Sequence, residues 1–192
     1  METYNIATLT KALYDARIAL FTIKTLRDLF GPDIRSSTFF SLLARLEQSG
    51  VLRKLERNKY LLEGKAVHDF TIANFLYEPS YISLETALNF HGILSQFPYE
   101  ISSVTVKKPV KKTVDNKTFR YVQIKRELFW GYDATPGFLI AQPEKALLDL
   151  LYIQTKGIAV AHLDEYDLSR VDKDLFDLYK KRFPTMRDGT YL

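Results

Sequence analysis

Apolar positions in the first fifty residues recur with a helical period and are interrupted at clear stops. Leu9, Leu13, Ala16 and Leu20 predict a first helix, with Thr8 or Thr10 as its cap. Thr22 predicts the cap of a short second helix whose apolar face is Ile23, Leu26 and Leu29 or Phe30. Gly31-Pro32 stops it, because glycine accepts left-handed geometry at a helix end and proline cannot continue the helix. A third helix begins near Ser36 or Ser37, buries Phe39, Leu42, Leu43 and Leu46, and ends at Gly50. Residues 51–56 and 59–62 then flank Arg57-Asn58 as a β-hairpin, since asparagine tolerates the positive φ of tight turns. Three helices and a basic two-stranded wing predict a winged helix-turn-helix over residues 1–64.

Residues 65–192 predict a second, α+β domain of helices packed on a small, mainly antiparallel sheet. A helix over 66–77 ends at Glu78-Pro79, and Ser83 caps another over 84–91, closed by Gly92. His91 at that helix end complements the macrodipole. After Pro98 the period becomes two through Ile101, Val104 and Val106, followed by a turn at Asp115-Asn116 and a return strand over 119–125. Residues 128–132 and 137–141 predict two more strands. Pro143 opens a strong helix to residue 152, in which Lys145 and Asp149 form a one-turn ion pair worth about 0.2–0.5 kcal/mol. A last helix covers about 172–182.

With 192 residues, 46% of them hydrophobic and 14% aromatic, the chain has enough apolar surface for a real core, which excludes wholesale disorder. The absence of cysteine excludes disulfides, thiolate nucleophiles and cysteine-based metal sites. Residues 1–17 are too charged for a signal peptide, and no run approaches the roughly 20 apolar residues of a membrane span. A cytoplasmic location is expected.

Charge changes the picture by its distribution. Residues 1–64 carry net +3 and residues 97–126 net +6, separated by a segment of net −2 and followed by one of net −3. Two separated basic regions suit a polyanion-binding surface or a solvated lysine-rich one. On the third helix, the side opposite the apolar residues presents Ser37, Thr38, Ser41, Arg45 and Gln48. Short hydroxyls allow close approach to base edges, while Arg and Gln are the bidentate readers of guanine and adenine. Arg35 precedes this helix, and Arg53, Lys54, Arg57 and Lys59 decorate the wing, placed for flanking phosphates. Double-stranded DNA is therefore the expected partner. Lys107, Lys108, Lys111, Lys112, Lys117 and Arg120 form a second basic group, for a wider DNA footprint, for RNA, or for solubility alone.

The sequence predicts no metal, no cofactor and no enzymatic activity. His68, His91 and His162 lack metal-ligand spacing, and no phosphate loop, nucleophile elbow or His-Glu-x-x-His motif occurs. Asp164-Glu165-Tyr166-Asp167 reads as a solvated acidic loop. A remote alternative is a Mg²⁺-dependent nuclease using Asp115, Gln123 and Lys125. A further alternative is a protein-interaction module that binds a toxin partner directly.

Leu46-x-x-x-Gly50-Val51-Leu52-Arg53-Lys54 with Lys59-Tyr60-Leu61 resembles the wing of AbiEi-type antitoxins, from bacterial type IV toxin–antitoxin phage-defence systems. The resemblance continues through Pro79-Ser80-Tyr81-Ile82-Ser83-Leu84-Glu85-Thr86-Ala87-Leu88-x-x-His91-Gly92, Val104-Thr105 and Phe129-x-Gly131. It closes on Ile140-Ala141-x-Pro143-Glu144-Lys145-Ala146-Leu147-Leu148-Asp149, and in all spans residues about 20–155. It implies a winged-helix repressor acting at inverted repeats in its own promoter. It also implies a C-terminal domain that opposes a nucleotidyltransferase-like toxin without stable contact. The wing tip, Arg57-Asn58-Lys59, departs from the family's usual Arg-Gly before Tyr, and the chain ends soon after Phe183-Pro184 where many relatives run longer.

Overall fold

In the computed structural model, which describes residues 5–159 and 163–184, the chain divides into two units, Met1–Val67 and His68–Leu192. The fold is mixed α+β with two sheets. The expected break after residue 64 stands three residues before the observed one.

The first unit contains helices α1 (Ile6–Asp15), α2 (Ile23–Phe30) and α3 (Ser36–Gln48). Its strands β1 (Leu20–Thr22), β2 (Leu52–Glu56) and β3 (Lys59–Leu62) form an antiparallel sheet in the order β1-β3-β2. Asn5, rather than Thr8 or Thr10, caps α1, its side-chain oxygen accepting from the Ala7 N–H at 2.9 Å. Leu20 is not in α1. The chain leaves the helix at Arg17, at φ 55°, and Leu20 pairs with Leu61 in the sheet. Phe21 then points inward and is fully buried, giving the hairpin a third strand. Thr22 caps α2 as the sequence predicts, its hydroxyl accepting from the Thr25 N–H at 3.1 Å. Thr22→Ala should cost about 1 kcal/mol of stability, read as a lower midpoint in urea unfolding.

One core holds the unit together. Leu9 and Leu13 of α1, Leu26 and Phe30 of α2, and Phe39, Leu42, Leu43 and Leu46 of α3 pack with Phe21, Leu52, Tyr60 and Leu62. Because α3 spends Phe39, Leu42, Leu43 and Leu46 on this core, its opposite stripe is left to solvent. Asn58, at φ 66°, turns the hairpin, and a register shift between Lys54 and Glu56 increases its local twist.

The second unit has helices α4 (Asp69–Leu76), α5 (Leu84–Phe90), α6 (Pro143–Thr155) and α7 (Lys173–Lys180). Its strands are β4 (Ser80–Ile82), β5 (Glu100–Thr105), β6 (Val110–Val114), β7 (Lys117–Gln123), β8 (Tyr132–Ala134) and β9 (Leu139–Ala141). They lie in the order β6-β7-β5-β4-β9-β8. The sheet is mixed: β6/β7, β5/β4 and β9/β8 are antiparallel, but β7/β5 and β9/β4 are parallel. Residues 128–132 do not form the expected strand. A 3-10 turn covers Arg126–Leu128, Gly131 breaks the backbone at φ 71°, and pairing begins only at Tyr132. Helix α5 packs on α6 and β5, α4 on β4, β5 and β9, and α7 on α6.

Candidate nucleic-acid interface

Helix α3 is 13 residues, about 20 Å of rod. Ser37, Ser41, Arg45 and Gln48 are exposed along it, and Arg35 is exposed at its N-cap, while Thr38 is half-buried on the flank. The polar stripe expected from the sequence is therefore open to solvent over its whole length. No ion pair engages Arg35 or Arg45 among the described residues. The wing cations fall into two groups. Lys54 and Arg57 are exposed and engage no ion pair among the described residues. Arg53 is bound to Glu63, and Lys59 to Glu56 at 2.9 Å. Both are partly buried, so neither is an unpaired phosphate-seeking cation.

Two side chains on α3 alter the stripe. Glu47 is half-buried on its edge and, after burial itself, helps hold the Tyr60 hydroxyl above its usual range. Phe40 is 52% exposed at the edge of the stripe, one turn from Ser37. Helical spacing carries the signal: Phe40 falls about 110° from the centre of the face made by Phe39, Leu42, Leu43 and Leu46, which leaves it at the solvent-facing edge.

The second basic group is more neutralised than its sequence suggests. In β6 and β7, Lys111 stands opposite Arg120, a like-charge pair on one face. Lys111 is relieved by an ion pair with Glu100, and Arg120 donates to the Ile158 carbonyl at 3.2 Å. Lys117 pairs with Asp69 at 2.7 Å. Lys107 and Lys112 lie over the Tyr77 ring at 5.4 and 5.2 Å, and Lys112 also donates to the Leu76 carbonyl. Lys108 is exposed.

The nuclease arrangement is not assembled. Asp115 sits in the β6–β7 turn at φ 49°, whereas Gln123 ends β7, about 20 Å of strand away. Lys125 beyond it faces Glu127 at 3.5 Å. His68 caps α4, its Nδ1 accepting from the Phe70 N–H at 3.2 Å. His91 is the C-cap of α5, but its Nε2 bonds the Ala141 carbonyl of β9 at 2.8 Å, so it pins a strand as well as ending a helix. His162 lies outside the described residues. In the acidic loop, Asp167 is exposed and its carboxyl is lowered by hydrogen bonds from Ser169 and Arg170.

The strongest electrostatic feature of the second unit contradicts its sequence reading. Lys145 and Asp149 are not a surface pair: both are fully buried and hydrogen-bonded to each other. Lys145 also donates to the Tyr81 hydroxyl at 2.8 Å, while Tyr81 and Ser83 each donate to Asp149 Oδ2 at 2.9 Å. The Ser83 hydroxyl is thereby taken from α5, for which it makes no cap hydrogen bond. Burial pushes the Asp149 carboxyl up and the Lys145 ammonium down, in each case against their mutual attraction. Burial followed by the Asp149 charge pushes the Tyr81 hydroxyl well above its usual range. Gly131 completes the enclosure: at φ 71°, a Cβ there would stand 2.9 Å from Lys145 Cγ. The network is buried, with Lys145 donating to Tyr81 and Asp149, and Asp149 accepting from Lys145, Tyr81 and Ser83. No protein-family model matches this chain, and no curated protein matches it.

Proposed function

We propose that residues 5–67 act as a winged helix-turn-helix that binds double-stranded DNA sequence-specifically, with α3 as the helix that enters the major groove. The observation that carries this reading is the exposed stripe of Ser37, Ser41, Arg45 and Gln48, flanked by Arg35, Lys54 and Arg57, which engage no ion pair among the described residues. In the major groove Arg45 takes guanine O6 and N7, Gln48 takes adenine N6 and N7, and the serine hydroxyls meet base edges or phosphates. Phosphate contacts from Arg35, Lys54 and Arg57 set the register.

In the fuller form of the proposal, the chain is a cytoplasmic, non-enzymatic autoregulator and antitoxin of the AbiEi kind, acting at an inverted repeat in its own promoter and countering a nucleotidyltransferase-like toxin. That part is supported by the motifs running from Pro79 to Gly92 and from Ile140 to Asp149. Growth rescue on co-expression with the adjacent gene's product tests it, and unrelieved toxicity overturns it.

The DNA reading is tested by titrating the full chain against a duplex from upstream of its own coding sequence. Arg45→Ala should weaken binding to that duplex roughly 5- to 150-fold, the equivalent of about 1–3 kcal/mol, and weaken an unrelated duplex far less. Equal losses on both duplexes would remove Arg45 from base readout. No retention of either duplex at low salt would overturn the DNA reading itself.

A further inference from the structure

A phenyl ring stands where a polar groove-facing stripe should have no use for one. Phe40 lies one turn from Ser37 and one turn from Ala44, on a line of α3 that continues to the half-buried Glu47 and borders the stripe of Ser41, Arg45 and Gln48. It is 52% exposed, although the first unit has a well-filled core that accepts its neighbour Phe39 completely. The ring is also held in place. It meets the buried Phe39 ring edge-on, at 5.3 Å between centroids and 75° between planes, and Phe39 in turn packs against Phe30. Phe40 thus presents a fixed apolar surface about one helical turn wide, extended by the methyl of exposed Ala44.

The chemistry of the surroundings selects the occupant. Arg35 at the N-cap and Arg45 on the adjoining stripe attract a polyanion and outnumber the half-buried Glu47 on Phe40's own line. The major groove of DNA offers one prominent apolar group among its donors and acceptors, the C5 methyl of thymine. We infer that Phe40, with Ala44, reads a thymine methyl in each half-site, which rests on the proposed DNA-binding role of α3 and adds a base to it. Arg45 and Gln48 would then read guanine and adenine from the C-terminal half of the helix, and Phe40 would read thymine between them and Ser37.

The experiment compares a duplex from upstream of the coding sequence with the same duplex carrying deoxyuridine in place of every thymine. The only chemical difference is the methyl group. Burying one methyl is worth about a four-fold change in affinity, so wild-type binding should fall about four-fold per half-site read. Phe40→Ala should bind the thymine duplex more weakly and lose the part of the discrimination due to methyl contact, keeping only what arises from duplex shape. Any effect of uracil on duplex shape persists in Phe40→Ala and is thereby subtracted. Phe40 is outside the core, so the variant should keep the wild-type urea midpoint.

Equal wild-type affinity for the two duplexes overturns the inference and leaves the DNA reading standing. Discrimination as large in Phe40→Ala as in the wild type also overturns it, because the ring then contributes nothing to reading the methyl. A wild-type self-association that Phe40→Ala abolishes, seen by sedimentation, overturns it by assigning the ring to a protein interface. Failure of the wild type to bind any duplex overturns the DNA reading and the inference together.

Discussion

Asp149→Ala lowers the stability of the second unit by about 3–5 kcal/mol, the usual cost of removing one partner from a buried ion pair. The substitution leaves the Lys145 ammonium without its counter-ion in a fully buried site, and leaves the Tyr81 and Ser83 hydroxyls without an acceptor. Trp130 is the only tryptophan in the chain, and its ring lies 5.2 Å from the Lys145 ammonium. Its fluorescence therefore reports urea unfolding of this unit. Lys145→Met should be costly for the mirror-image reason, an uncompensated Asp149 carboxylate. The informative variant is the double substitution Lys145→Met with Asp149→Leu. Burial already drives both groups toward their neutral forms, so removing both charges removes the desolvation cost along with the attraction. The double variant should be more stable than Lys145→Met or Asp149→Ala, but not wild-type, because the Tyr81 and Ser83 hydroxyls still lack their acceptor, at about 1–3 kcal/mol each. A change below about 0.5 kcal/mol in Asp149→Ala would mean that water reaches the pair and that the network is not closed.

The same pair shows where the sequence stopped being legible. Spacing alone correctly places Lys145 and Asp149 one turn apart on α6, and a surface pair is the ordinary reading of that spacing. The overriding signal is the company they keep: Ala146, Leu147, Leu148, Leu150 and Leu151 are apolar all round the helix, which belongs to a buried helix rather than a half-exposed one. Ser83 was misread for a related reason. Its position before a helix suggests a cap, but a buried carboxylate from a helix 66 residues away competes for its hydroxyl and wins. In the first unit α2 and α3 are legible because each has its own period and a glycine stop, Gly31 at φ 121° and Gly50 at φ 68°, whereas α1 has no such stop and ends before Leu20. Strand β1 was not readable. Three residues carry no period, and only pairing with β3 makes them a strand. Both parallel pairings in the larger sheet are similar cases, since β5 with β7 and β4 with β9 join strands that are not consecutive in the chain.

The candidate interface divides along the same line. Which residues share a face of α3 follows from helical geometry, so Ser37, Ser41, Arg45 and Gln48 were available from spacing alone. Whether a cation on that surface is unpaired depends on acids brought in by the fold. Glu63 follows β3 and reaches Arg53 across the hairpin, a contact with no local signature.

That pairing makes a quantitative difference to the proposed DNA binding. The sequence offers five flanking cations, Arg35, Arg53, Lys54, Arg57 and Lys59, but only Arg35, Lys54 and Arg57 lack ion-pair partners among the described residues. Each phosphate neutralised contributes about −0.9 to the slope of log affinity against log salt. Two copies on an inverted repeat should therefore show a slope of about −5, against about −9 if all five cations engaged. Between 50 and 200 mM salt, affinity should fall about 10³-fold rather than about 10⁵-fold. Arg57→Ala should make the slope shallower by about 0.9 for each copy and weaken all duplexes alike, whereas Arg53→Ala should leave the slope where it is. Fluorescence anisotropy across a salt series separates these outcomes. If Arg53→Ala flattens the slope as much as Arg57→Ala, the Glu63 pair opens on binding and Arg53 moves to a phosphate. A slope near zero would instead mean that no phosphate is neutralised, and α3 would then have to be assigned to a partner other than a nucleic acid.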